Sequence, residues 1–165
     1  MAFTEAYFIR HGIAVDRQAG IADEMRSLTP NGITKTQRVA QRLCDLGLQF
    51  DHLLTSPLTR ARQTADILHT AGLSSPPEEF LPLQPGGDLL DWLTWLKARQ
   101  TAVQTVALVG HEPDLSQWAQ QLVTGSDRHQ WILKKAGIIG LQIPNADQAI
   151  GQSQLFWLSP PRFLL

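Results

Sequence analysis

Thr105-Val106-Ala107-Leu108-Val109-Gly110-His111-Glu112-Pro113 is the stretch that decides the fold. A short apolar run ending abruptly in a glycine turn is how a strand buried on both faces of a parallel sheet reads. Ala6-Tyr7-Phe8-Ile9-Arg10-His11-Gly12 repeats the pattern near the start of the chain. Both runs therefore deliver a histidine into the turn after a strand. Between and beyond them, short apolar runs alternate with amphipathic stretches, which predicts an α/β three-layer sandwich. Its central sheet is mostly parallel and flanked by helices.

Working outward, Thr29-Pro30 opens a helix with Thr as N-cap and Pro at the first helical position, where its missing N–H costs nothing. Ile33, Gln37, Ala40, Leu43, Cys44 and Leu46 follow at helical spacing, and Gly47 marks the stop. A strand over His52 to Thr55 leads into Ser56-Pro57, the same cap-and-proline signal, and a helix to about Thr70. Residues 13–28 lack periodicity and read as loop. The proline-rich residues 74–87 also read as loop, with a short strand near Phe80-Leu81. Asp88 caps a helix carrying Leu89, Leu90, Trp92, Leu93, Trp95 and Leu96, with the tryptophans expected in the core or on a half-buried face. A further helix runs from Asp114 to Val123. Strands over Ile138 to Ile143 and Leu155 to Leu158 follow, joined by a turn at Pro144-Asn145-Ala146-Asp147. With no internal repeat, low-complexity tract or linker, residues 1–165 read as one domain.

The composition of these 165 residues narrows the function. Fourteen Lys+Arg against fifteen Asp+Glu leave a net charge of −1, without the basic stripe a nucleic-acid partner calls for. No apolar run approaches the ~18 residues of a membrane span. Glu5 precedes any basic residue and no apolar leader follows, so the expected location is the cytoplasm, away from any membrane. The single cysteine, Cys44, reads as a small core residue.

His11 and His111 thus fall at the carboxyl ends of two strands, where open α/β sheets bind ligands. Arg10 adjoins the first. Arg60 lies in the first turn of the helix after Ser56-Pro57, again just past a strand. Guanidinium forks and helix N-termini both favour phosphate. Together these residues describe a phosphate pocket. The histidines 11, 52, 69, 111 and 129 show no ligand spacing on a shared helix face, so no metal and no cofactor are expected.

On these residues the sequence resembles the histidine phosphatase superfamily, once called phosphoglycerate mutase-like. Arg10-His11-Gly12 is its signature tripeptide. Ser56-Pro57-Leu58-Thr59-Arg60-Ala61-Arg62-Gln63-Thr64-Ala65 resembles its second block, and Val109-Gly110-His111-Glu112-Pro113 its third. Leu83-Gln84-Pro85-Gly86-Gly87-Asp88 and Lys135-Ala136-Gly137 are similar to the short SixA-like phosphohistidine phosphatases within it. The resemblance implies a phosphoglycerate mutase-like fold and His11 as the nucleophile that becomes a phosphohistidine. It also implies that Arg10, Arg60 and His111 bind the phosphate oxygens. A neutral histidine is required for attack, and the flanking arginines are expected to disfavour its protonated form.

Few residues separate Arg60 from His111, and helices already claim most of them. No sizeable lid insertion is expected, and the pocket should be shallow and open. That favours a phosphohistidine-bearing protein as substrate. A phosphate ester needs a proton donor for its alkoxide, whereas phosphohistidine releases imidazole, a better leaving group. Glu112, Asp16 and Asp88 are the candidate acids. Glu112 follows His111 where one branch of the superfamily has its donor, but it also suits a helix N-terminus. Asp88 reads first as an N-cap. Two other functions stay open: a phosphomonoesterase acting on a small metabolite, and a non-catalytic phosphoprotein-binding module.

Overall fold

The alternation seen in the sequence becomes two cores, one on each face of a sheet. The computed structural model describes residues 3–165. Six strands and four helices are found among the described residues: β1 (Thr4–Arg10), α1 (Pro30–Asp45), β2 (His52–Thr55), α2 (Thr59–Thr70), β3 (Glu78–Glu79), α3 (Leu89–Lys97), β4 (Thr105–Gly110), α4 (Asp114–Thr124), β5 (Ile138–Ile143) and β6 (Gln154–Ser159). The sheet order is β3-β2-β4-β1-β5-β6. The first four of these strands are mutually parallel, while β5 and β6 run antiparallel to their neighbours.

Successive side chains of a strand point to opposite faces. Ala6, Phe8, Val106 and Leu108 therefore pack with Trp92 and Leu96 of α3 and Leu115, Trp118 and Leu122 of α4. Tyr7, Ile9, Ala107 and Val109 pack with Val39 and Leu43 of α1 and Ala61, Ala65 and Leu68 of α2. This is the three-layer sandwich anticipated, with a mostly parallel sheet and no large insertion. No helix among the described residues is long and apolar enough to cross a membrane.

Several local expectations shift. Thr29 does cap α1, its side chain accepting from Gly32 N–H. The stripe that α1 buries, however, is Gly32, Thr36, Val39, Ala40 and Leu43, leaving Ile33 and Leu46 exposed. Cys44 is only partly buried, and its thiol donates to the Ala71 carbonyl. Helix α2 starts at Thr59, not at Pro57, because the Ser56 hydroxyl accepts from Leu58 N–H in a tight turn before it. The short strand falls at Glu78–Glu79, and Leu81–Leu83 is a 3-10 turn, as Pro82 cannot donate to a ladder. Another 3-10 turn, Asp23–Met25, forms inside residues 13–28. Asp88 is the N-cap of α3, accepting from Leu90 N–H. Trp92 is fully buried, and Trp95 packs edge-on against His52 and Phe80.

Candidate active site

Strands β1 and β4 are neighbours in register, Arg10 lying beside Gly110. The next residue along each is a histidine, so parallel pairing alone places His11 against His111. Their ring centroids are 5.2 Å apart. Strand β2 lies on the other side of β4 and is followed at once by Ser56, whose Oγ is 2.7 Å from His111 Nε2. One turn further along, Arg60 points its Nε–H at His11 Nε2, 3.3 Å away. Arg10, His11, Arg60 and His111 thus meet at the carboxyl edge of the sheet.

The contacts of His11 define its chemistry. Nδ1 lies 2.7 Å from the Gly12 carbonyl, which only an N–H can satisfy, so the Nδ1 proton is fixed and Nε2 keeps its lone pair. His11 is 6% exposed and His111 3%. Burial lowers the pKa of His11 to about 3, with His111, Arg60 and Arg10 adding to it against the Gly12 hydrogen bond. For His111 burial is again the chief cause, with Arg60 next, and the value falls to about 4. The flanking arginines thus act in the expected direction, but desolvation outweighs them. Both imidazoles are neutral at physiological pH.

This has a consequence for stability. Both folded values lie below that of unfolded histidine, so as pH falls under about 6.5 the unfolded chain takes up protons first and the native state is weakened. The loss continues until the folded values are reached, near 3 and 4. By pH 5 each histidine should cost about 2 kcal/mol of stability. Urea unfolding at pH 7.5 and pH 5 checks it: His11→Asn and His111→Asn should each shrink the difference between the two conditions by about that amount.

The glycine after His11 is required by packing. A Cβ there would sit 2.3 Å from Thr36 Oγ1, so a larger residue would force the buried Thr36 side chain to move. Gly12 N–H in turn donates to Thr64 Oγ1, which donates to the Arg60 carbonyl, joining the turn after β1 to α2.

The pocket is less open than expected. Arg60 is 3% exposed and its guanidinium is held from above by Asp23, through Nη1 to the Asp23 carbonyl at 2.8 Å and Nη2 to its Oδ2 at 3.3 Å. The Asp23 carboxylate also meets Arg26 at 2.9 Å and Arg17 at 3.2 Å. These three arginines keep its pKa below the usual carboxylate value even though burial acts to raise it. The cover comes from residues 13–28, not from an insertion between Arg60 and His111. Asp23, Arg26, Ser56 and Thr64 had not been singled out for these contacts.

Arg10 lies on the other flank, partly exposed, with Nη1 donating to the Leu133 carbonyl. Glu112 reaches the same segment. Its carboxylate accepts from Ser116 N–H at 2.9 Å, Ser116 Oγ–H at 2.7 Å and Leu133 N–H at 3.4 Å. His129 completes this chain, with Nε2 2.7 Å from Ser116 Oγ. Asp16 is exposed, and Asp88 serves its helix cap. Two polar atoms at the site are buried without a hydrogen-bond partner, His111 Nδ1 and Arg10 Nε. Such orphans are costly unless a ligand meets them.

Comparison with known proteins agrees with this geometry. The model of the histidine phosphatase superfamily (branch 1) matches residues 6–80. An uncharacterized protein of Picosynechococcus sp. is 49% identical over 163 residues, covering 98% of this chain and 99% of its own length. The structure of the protein histidine phosphatase SixA complexed with tungstate superposes with a TM-score of 0.84 at 24% identity, over 98% of this chain and 100% of that one. A phosphoserine phosphatase from Entamoeba histolytica in complex with phosphoserine gives a TM-score of 0.72 at 20% identity, over 98% and 100%. With its three motif blocks brought to one sheet edge on the fold of SixA, the chain belongs to the histidine phosphatase superfamily.

Proposed function

We propose that this phosphatase hydrolyses phosphohistidine on a partner protein, with the whole chain acting as one catalytic domain. His11 Nε2 attacks the phosphorus in line, forming a P–N bond as the substrate P–N bond breaks. The substrate imidazole leaves with a proton from water. The hydroxide equivalent left behind is consumed when the phospho-His11 P–N bond is hydrolysed, releasing inorganic phosphate and restoring the free imidazole, so that one water is used in all. Arg10, Arg60 and His111 neutralise the transferring oxygens, so the phosphoryl charge is met by guanidinium and imidazole, with no metal in the scheme. The Ser56 hydroxyl already accepts from Leu58 N–H, so its own proton is free for His111 Nε2. That leaves the His111 proton on Nδ1, the buried atom without a partner, to donate to a phosphoryl oxygen.

The observation that carries the substrate class is the engagement of the nearby carboxylates. Asp23 is held ionised by three arginines and has no proton to give. Glu112 spends its oxygens on Ser116 and Leu133. Asp114, whose pKa burial raises, is bound to Gly86 N–H. A leaving imidazole tolerates such a site; an alkoxide does not. The phosphoserine phosphatase that shares the fold keeps small phosphate esters as the second reading.

Turnover of a phosphohistidine protein and of simple phosphate esters, measured side by side, tests this. Preference for the ester by kcat/KM would overturn it. Glu112→Gln adds a second check. It should lower phosphohistidine turnover by less than about fivefold, against the ~100- to 10,000-fold of a lost general acid.

A further inference from the structure

Beside the phosphate site lies a groove of about 490 Å³ that the chemistry above does not use. Arg10 forms the wall common to both. The other polar residues along it include Lys35 and Thr36 of α1, Lys134 and Lys135 of the segment before β5, and Arg162 near the C-terminal end. This is five cations with no Asp or Glu side chain between them, on a chain whose net charge is −1. Elsewhere Arg17 and Arg26 pair with Asp23, Arg62 with Glu79 and Lys97 with Asp147, while the unpaired Arg38, Arg42, Arg99 and Arg128 do not line this groove. Among the described residues, none of the five groove cations forms an ion pair, and of the five only Arg10 feels a nearby side-chain carboxylate, that of Glu112. Like charges gathered without counter-charges repel one another, an arrangement relieved by an anionic ligand.

Two further features point the same way. Thr36 is 1% exposed, and its hydroxyl has no hydrogen-bond partner; neither has Arg10 Nε, on the shared wall. Lys134 and Lys135 are also held in place rather than left to wander. Ala136 adopts a left-handed conformation, φ 59°, and its N–H is shared by the Arg10 and His11 carbonyls at 3.0 and 3.1 Å. Gly137 N–H closes on the Lys134 carbonyl at 2.7 Å. A non-glycine residue in that region costs energy and persists only where its surroundings fix it. The lysine pair is thereby anchored directly to the catalytic loop.

We propose that this groove is a second anion subsite, which binds carboxylates of the phosphoprotein close to its phosphorylated histidine. It rests on the phosphoprotein substrate proposed above and sharpens it. The preferred partner presents an acidic segment beside the phosphoryl group, which the groove reads while Arg10 and Arg60 hold the phosphate. A small phosphate ester with no further anionic group would leave the groove empty.

Two synthetic phosphohistidine peptides test the proposal, alike except that three Glu residues after the histidine are replaced by Gln in the second. The wild type should favour the Glu peptide by about tenfold or more in kcat/KM at low ionic strength, and less in about 0.5 M salt, as screening requires. K35Q/K134Q/K135Q/R162Q should abolish that preference while leaving the Gln peptide within about twofold of wild type. Fluorescence anisotropy of the labelled, unphosphorylated peptides supplies an arm free of turnover: wild type should bind the Glu form, and the quadruple variant should not. Binding of the Glu form without hydrolysis of either phosphohistidine peptide would discard the phosphohistidine substrate and keep the groove. Equal handling of Glu and Gln peptides by the wild type in both arms, or a preference that survives the four substitutions, would overturn the groove.

Discussion

His11→Ala should abolish turnover, by a factor on the order of 10⁴ to 10⁶, the scale on which removal of a covalent nucleophile acts. The geometry gives the reason. Nδ1 is committed to the Gly12 carbonyl, and Nε2 is the one ring atom left with a lone pair, facing Arg60. No nearby side chain replaces it: the second imidazole is turned to Ser56, and the Asp23 carboxylate is bound by three arginines. Rapid quenching without acid, after mixing with labelled phosphohistidine protein, should trap phosphate on His11 of the wild type. The adduct should be acid-labile and base-stable, as phosphoramidates are. The variant should carry none. Turnover that survives in His11→Ala would show that water attacks the substrate directly.

Arg60→Ala should cost about 100- to 1,000-fold in kcat, the effect of removing one preorganised donor from a developing charge. The loss should appear equally on phosphohistidine and on ester substrates, because charge stabilisation is common to both. Arg60→Lys should restore little. An ammonium has no planar fork to meet His11 Nε2, the Asp23 carbonyl and the Asp23 carboxylate at once. Single-turnover rates of the three proteins on one substrate check this. An Arg60→Ala enzyme within tenfold of wild type would remove Arg60 from the phosphate site.

Legibility in the sequence followed physical range. Both histidines could be placed because strand periodicity and the turn after it are local, and parallel pairing brings the ends of two such strands together. Asp88 and Thr29 were recognised as caps for the same reason, since a cap contacts its own helix. Ser56 looked identical to them. Its hydroxyl instead spans 55 residues to His111, and the helix begins three residues later. Asp23 and Arg26 sat in a stretch with no periodicity, and the partner of Asp23 is 37 residues away. Nothing local marks such a contact. The openness of the pocket was misjudged because the cover is built from that same aperiodic loop. In α1 the spacing of apolar residues favoured Ile33 and Leu46, yet the buried face is set by Gly32 and Thr36 closing on Gly12 and Ile13 of the turn after β1. The importance of burial over neighbouring charge for His11 was likewise invisible until the layers were assembled.

The order of strands in the sheet bears on how the protein is made. β1 and β2 do not touch; β4 lies between them, and the other neighbour of β1 is β5. A ribosome synthesising this chain therefore produces Arg10, His11 and Arg60 long before β1 has any strand to pair with. Contacts joining residues about 100 positions apart, such as Tyr7 with Ala107, carry a large loop-closure cost and form late. Until Gly110 is clear of the exit tunnel, the nascent chain holds His11 and both arginines but no pocket. Prematurely terminated products are consequently inert toward cellular phosphates, and they expose the apolar edge of β1 to chaperones or to proteolysis.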